Sequence, residues 1–361
     1  MASTAEQDGG ASSGAAIQKL VERTIQRNIK GVEYFASAAP AVGLTPKEVI
    51  HKRGTLNLYH YKPLVDEVYR VPILMVMATT NRGYVFDIAE DHSFVRYLLN
   101  AGYDVFVMDW DAPRPEEKGL NLDSYANDFI GDCLRRVRET TGEQEVSLVG
   151  YCMGGVLSTI YAATHPDEPI KNLVCFTTPI DFSEMHLFAH MSQEKYFDVD
   201  RLIDNVGNAS PELLLTSFDM LRPSGRVSAQ RTLWDNMWNS DLVEFQRKME
   251  RWSNDMLPLA GEYFRDTVKK LMWRNELKNG TLEVGGRIAD IGNIKIPLFH
   301  AVALHDHIVP YEASRHLVPL AGSKDKTEIV LKGGHISLIA GPNAARRLWP
   351  NLDEWLGERS V

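Results

Sequence analysis

Val146-Ser-Leu-Val-Gly-Tyr-Cys152-Met-Gly-Gly155-Val-Leu-Ser-Thr-Ile160 is the stretch on which the fold turns. Residues 146–151 are almost continuously apolar, the pattern of a strand covered on both faces. A glycine-bracketed turn follows, and a helical pattern runs from Gly154 to about His165. G-x-C-x-G between a strand and a helix is a nucleophile elbow with cysteine in the usual serine place. The turn is tight, so the residues two before and two after the nucleophile, Gly150 and Gly154, must be small for strand and helix to approach. A side chain in that turn stands at the helix N-terminus, where orphan N–H groups and the dipole favour an anion.

The same rhythm continues outward on both sides. Strand patterns lie at 71–77, 104–110 and 172–177, with helical patterns at 94–101 and 122–140. Repeated strand–helix–strand units with apolar strands predict an α/β fold built on a mostly parallel, doubly wound sheet. The rhythm stops near Ile180. Residues 181–290 read as helical, with no central strand, and hold seven of the 12 methionines and four of the seven tryptophans. Strands return at 296–303 and 326–331, and a helix at about 343–356 closes the chain. The expected organisation is a core of residues 17–180 and 291–361, including an N-terminal helix, interrupted by a helical cap at 181–290. Residues 1–16 are small and polar, too poor in apolar side chains to fold, and are expected to be disordered.

Composition narrows the function. Of 361 residues, 39 are Lys or Arg and 48 are Asp or Glu, for a net charge of −9. That excludes the basic surface a nucleic-acid protein needs and a polybasic membrane anchor. No apolar run approaches the roughly 20 residues of a transmembrane helix. Cys133, Cys152 and Cys175 cannot close a disulfide framework and lack paired metal-ligand spacing. With no secretory signal at the N-terminus, a cytoplasmic location is expected.

An elbow nucleophile needs an acid and then a histidine later in the chain, in that order. Asp306 follows the strand at 296–303, and His335 sits on a glycine-flanked loop after the last strand. Both loops belong at the C-terminal edge of the sheet, where the elbow lies. The oxyanion hole is expected to use the backbone N–H of Met153 and that of Thr79 or Thr80, in the loop after the strand at 71–77. His305 and His307 beside Asp306, and the pair His186 and His190, do not make a ligand set for one ion, so no metal is expected. No glycine-rich phosphate loop is present, and no cofactor is expected.

These motifs carry a resemblance. The elbow Gly150–Gly155, Asn81-Arg-Gly-Tyr-Val-Phe-Asp87, Val95-Arg-Tyr-Leu98 with Gly102-Tyr-Asp-Val-Phe106, Trp238-Asn-Ser-Asp241, Asn275-Glu-Leu-Lys-Asn-Gly280, Asp306-His-Ile-Val-Pro310 and Gly334-His335-Ile together resemble the polyhydroxyalkanoate synthases. The chain departs from that pattern at Met77-Ala-Thr-Thr80 and at Gly341-Pro342-Asn343. The resemblance implies an α/β-hydrolase fold with a cap. It also implies an acyltransferase that polymerises (R)-3-hydroxyacyl-CoA, releases CoA and holds the growing polyester as a thioester. By motif its nucleophile is Cys152, its acid Asp306 and its general base His335. It further implies a short, two-subunit type of synthase, with a second synthase subunit, homo-oligomerisation and association with polyester granules. A dienelactone-hydrolase-like cysteine hydrolase shares the elbow and the triad order and is the alternative.

Overall fold

The computed structural model describes residues 8–361. Its main strands are β1 (Lys47–Arg53), β2 (Leu56–Tyr61), β3 (Ile73–Val76), β4 (Val105–Trp110), β5 (Val146–Tyr151) and β6 (Ile170–Phe176). Beyond a small hairpin of β7 (Glu283–Val284) and β8 (Arg287–Ile288) come β9 (Leu298–Ala303) and β10 (Lys326–Leu331). Eight of these form one sheet in the order β1-β2-β4-β3-β5-β6-β9-β10. From β4 to β10 every neighbouring pair is parallel, the doubly wound arrangement expected. Strand order reverses beside β3 and β5, so the loops after these strands open at a topological switch point, where open α/β sheets place their sites.

The hairpin β1–β2 has no counterpart in the sequence reading. It adds an antiparallel edge through β2 and β4. Its polarity hid it: Glu48, Lys52 and Arg53 are exposed on β1, and the register shifts between Val49 and His51. Charges and an irregularity are how a sheet edge avoids pairing with another chain.

Helix α1 spans Asp8–Ala36, α2 Phe94–Asn100, α3 Ile130–Thr141 and α4 Met153–Thr164. From Gly154 to Thr164 every residue of α4 is buried, which its all-round apolar composition requires. Between β6 and β9 the chain is largely helical, at Leu187–Met191, Val199–Val206, Pro211–Leu221, Gly225–Asp235, Ser240–Asn254 and Gly261–Asp266. Two compact units result. One comprises Val42–Leu221 with Trp252–Val361; the other comprises the chain up to Ala41 with Arg222–Arg251. Part of the region read as cap thus belongs with α1 rather than with the sheet.

Within the second unit, Arg23 lies over the ring of Trp238 at 4.3 Å and Arg27 over that of Trp234 at 5.5 Å. Ile17, Leu20, Val21, Ile25, Ile29 and Val32, whose spacing predicts this helix, remain 51–72% exposed. The expectation of disorder over 1–16 falls partly on residues 1–7, which lie outside the described residues. From Asp8 the backbone is helical. Among the described residues no helix is long and apolar enough to cross a membrane.

Candidate active site

Cys152 caps α4 with φ +54° and ψ −121°, a conformation L residues seldom adopt. Its N–H donates to Phe176 O at 2.9 Å, tying the elbow to the end of β6. The glycines explain how the turn closes. A Cβ on Gly150 would stand 2.5 Å from Gly155 Cα, and one on Gly154 would stand 2.1 Å from the carbonyl oxygen of Val76. The second contact brings the end of β3, and the loop after it, against the elbow. Gly154→Ala should therefore destabilise the protein by on the order of 3 kcal/mol, because the obstructing atom is backbone and has little room to move. Urea unfolding of the two proteins measures the difference.

Asp306 and His335 meet at this turn. His335 Nδ1 donates to Asp306 Oδ2 at 2.6 Å, and the Cys152 sulfur lies close enough to act on the charge of His335. Asp306 Oδ1 accepts the N–H groups of Ile308 and Val309, both at 2.9 Å. The Thr177 hydroxyl donates to Oδ2 at 2.5 Å. Both carboxylate oxygens are thus doubly engaged, and the side chain has no exposed surface.

Burial disfavours charge on either partner, but each offsets that for the other. Burial would raise the Asp306 carboxyl, yet His335, Thr177 and the Val309 N–H hold it below the ordinary carboxylate range. Burial would lower His335, yet the Asp306 carboxylate and the Cys152 sulfur hold it above the ordinary histidine range.

The signs fix the pH behaviour. A depressed Asp306 contributes stability that is present above the unfolded value, about 3.9, and lost as pH falls through the folded one. A raised His335 contributes stability that is present below about 6.5 and lost as pH rises through its folded value. Asp306→Asn should lower the melting temperature at neutral pH, and the gap to wild type should narrow below about pH 4. The same change should lower the His335 titration, followed by its imidazole proton resonances.

Thr177 escaped the sequence reading. It ends β6 with φ +42°, a costly conformation for a β-branched residue, on the order of 1–3 kcal/mol. Thr178 beside it fills the space over Gly155. Nothing in the spacing marks either threonine. Tyr263 also went unnoticed: it is buried, within electrostatic range of Cys152, and its hydroxyl accepts from Thr79 Oγ1 at 3.2 Å.

The oxyanion candidates sit as follows. Met153 is the first residue of α4. Thr79 is buried. The carbonyl of Thr80 accepts the Leu257 N–H at 2.8 Å, and Asn81 bridges Met256, so residues 252–257 run along this loop. Cys133 and Cys175 are fully buried, whereas Cys152 is partly open. Among the described residues no group of three His, Cys, Asp or Glu side chains could hold a metal ion.

Two other motif segments make hydrogen-bond networks of their own. In 81–87, Asp87 accepts Thr45 N–H and the hydroxyls of Thr45 and Ser93, while Gly83 N–H donates to Asp109 at 2.7 Å. In 275–280, Asn275 and Lys278 both bind the buried carboxylate of Asp181, just after β6. Burial would raise Asp181, but Lys278, Ser183 and Asn275 hold it down to about 2.

A parallel sheet carrying a strained elbow, with acid and histidine on later loops, defines an α/β-hydrolase-fold protein. The family model described as alpha/beta hydrolase fold matches residues 80–342. Solved structures with this fold include a Paleococcus ferrophilus monoacylglycerol lipase (TM-score 0.55, 20% identity, 84% of this chain and 99% of the other). A Saccharomyces cerevisiae monoglyceride lipase gives 0.56 at 15%, with 90% and 97% covered. Sequence carries the comparison further. The model described as poly-beta-hydroxybutyrate polymerase (PhaC) N-terminus matches residues 21–98. Proteins named poly(3-hydroxyalkanoate) polymerase subunit PhaC are 36% identical in Allochromatium vinosum (91% of this chain, 94% of the other) and 35% in Thiocystis violacea (92% and 94%). The chain belongs to the poly(3-hydroxyalkanoate) polymerase family.

Proposed function

We propose that this chain polymerises (R)-3-hydroxyacyl-CoA through a thioester on Cys152. The observation that carries the reading is the His335–Asp306 pair held beside the Cys152 elbow, with Cys152 N–H on Phe176 and Asp306 on the adjoining Thr177, in a chain of this family. In the acylation step the Cys152 thiol proton passes to His335 and the sulfur attacks the substrate thioester carbonyl. The carbon–sulfur bond to CoA breaks, and the leaving sulfur takes the proton from His335. The imidazole is then ready to take the proton of an incoming 3-hydroxyl. That oxygen attacks the acyl carbon, the ester bond is made, and the Cys152 sulfur leaves and takes the proton back from His335. The lengthened chain, now the CoA thioester of the added unit, re-acylates Cys152 by the first step with release of CoA.

Asp306 serves as the orienting carboxylate, since its lone pairs are occupied by four donors. The Met153 N–H is proposed as one oxyanion donor. Thr79 is favoured over Thr80 for the other, because Tyr263 links Thr79 to the surroundings of Cys152. Within the region 181–290, the parts that fold with the sheet, 181–221 and 252–290, are proposed as a cap that excludes water, as residues 252–257 lie against the oxyanion loop. A second synthase subunit and self-association complete the proposal, consistent with relatives named as subunits. So does a cytoplasmic location at polyester granules.

Incubation with (R)-3-hydroxybutyryl-CoA, alone and with a partner subunit, tests the reading. Release of CoA with insoluble polyester is expected. Release of CoA with free hydroxy acid and no polymer would make the protein a hydrolase instead.

A further inference from the structure

We infer that Thr177 is a positioning residue for the reaction, acting through Asp306 to set the orientation of the His335 ring. The inference rests on the proposed roles of Cys152, Asp306 and His335. Four observations converge on this one residue. Its hydroxyl donates to Asp306 Oδ2 at 2.5 Å, the same oxygen that accepts His335 Nδ1–H. Its Oγ1 lies 3.5 Å from that nitrogen. Its N–H donates to Ala301 O of β9 at 2.8 Å, and the carbonyl of the preceding Phe176 receives the N–H of Cys152. Its backbone is held at φ +42°, where a β-branched side chain is strained.

One turn after β6 therefore touches all three members of the proposed triad. The Cys152 backbone hangs from it on one side, and the Asp306 carboxylate is gripped by it on the other. The hydroxyl does two things that a methyl of the same size does not. It completes the donor set of Oδ2, so that the carboxylate cannot rotate and present a different oxygen to the ring. It also occupies the lone pair through which Asp306 could otherwise take a proton from substrate, which leaves proton transfer to His335. Strain at an L residue persists only where its surroundings over-determine it, and such residues cluster at active sites. Here the over-determination is the pair of anchors on β9 and Asp306. Misplacing a base by a fraction of an ångström costs rate far more than binding.

The test separates the hydroxyl from the shape. Thr177→Val keeps the β-branch and loses the donor; Thr177→Ser keeps the donor and loses the branch. CoA release from (R)-3-hydroxybutyryl-CoA is followed for both. The valine protein should lose roughly 10- to 100-fold in kcat with KM little changed, and its Cys152 should alkylate more slowly with iodoacetamide. The serine protein should stay close to wild type in both. A valine protein with wild-type kcat, or a serine protein as slow as the valine one, would overturn the inference. If the valine protein does not fold, Thr177→Ala against Thr177→Ser makes the same comparison. Cys152→Ala is assayed alongside: activity there removes the underlying mechanism, whereas inactivity there with an unaffected valine protein removes only the role of Thr177.

Discussion

Cys152→Ala should abolish both the covalent acyl adduct and polymer, while Cys133→Ala and Cys175→Ala keep them. Geometry makes the three thiols unequal. Cys152 stands at the N-terminus of α4, partly open and within electrostatic reach of His335. Cys133 lies inside α3 and is fully buried, which pushes its thiol far above the ordinary range. Cys175 lies inside β6; burial raises it to about 12 despite its hydrogen bond with Thr159. A buried neutral thiol is neither reachable nor nucleophilic. A substrate analogue without the 3-hydroxyl isolates the first step, because it can acylate the enzyme but offers no alcohol for the second. Peptide mass mapping of the stalled protein should place the adduct on the peptide holding Cys152. An adduct on either other cysteine, or polymer from the Cys152→Ala protein, would refute the mechanism.

His335→Gln should reduce turnover by about 10²–10⁴-fold, the usual cost of losing a general base. Glutamine can still reach Asp306 with its amide, so the loop and the pocket should hold and KM should change little. Both steps should suffer, since the same ring takes the thiol proton and then the hydroxyl proton. Rapid-quench measurement of acyl-enzyme formation, beside steady-state CoA release, resolves the two. Normal acylation with blocked elongation would show that another group receives the thiol proton. The ring also packs against Tyr151, centroids 5.1 Å apart and tilted by 50°, so a melting curve of the variant is needed to separate lost chemistry from lost packing.

Much of this was legible in the chain before any coordinates. The parallel sheet, the elbow and the order Cys152, Asp306, His335 are local matters. Apolar runs of strand length report burial on two faces, and Gly150 and Gly154 report a turn too tight for a Cβ. Sequence order along a doubly wound sheet then brings the loops after β5, β9 and β10 to one edge, so the three residues could be associated without knowing a distance. The helix over α1 was equally legible in its spacing. That its apolar positions stay exposed was not, because periodicity records a face and says nothing of what covers it.

What needed the tertiary structure is of another kind. Strand β1 is polar because it forms the sheet edge, and edges suppress the apolar signal that identifies strands, whereas β2 inside it buries Leu56, Leu58 and Tyr61. Residues 222–251 group with α1 through contacts between segments distant in the chain, which no local pattern encodes. Thr177 is the sharpest case. Its side chain reaches Asp306 only because the parallel strands β6 and β9 end side by side, where the loop of Asp306 begins, and a threonine after a strand carries no mark of that. The elbow could be read because its constraint acts between neighbours in sequence. The environment that fixes the charge of Asp306 and His335 combines two loops 29 residues apart with Thr177, 129 residues from Asp306 along the chain, and only folding brings them together.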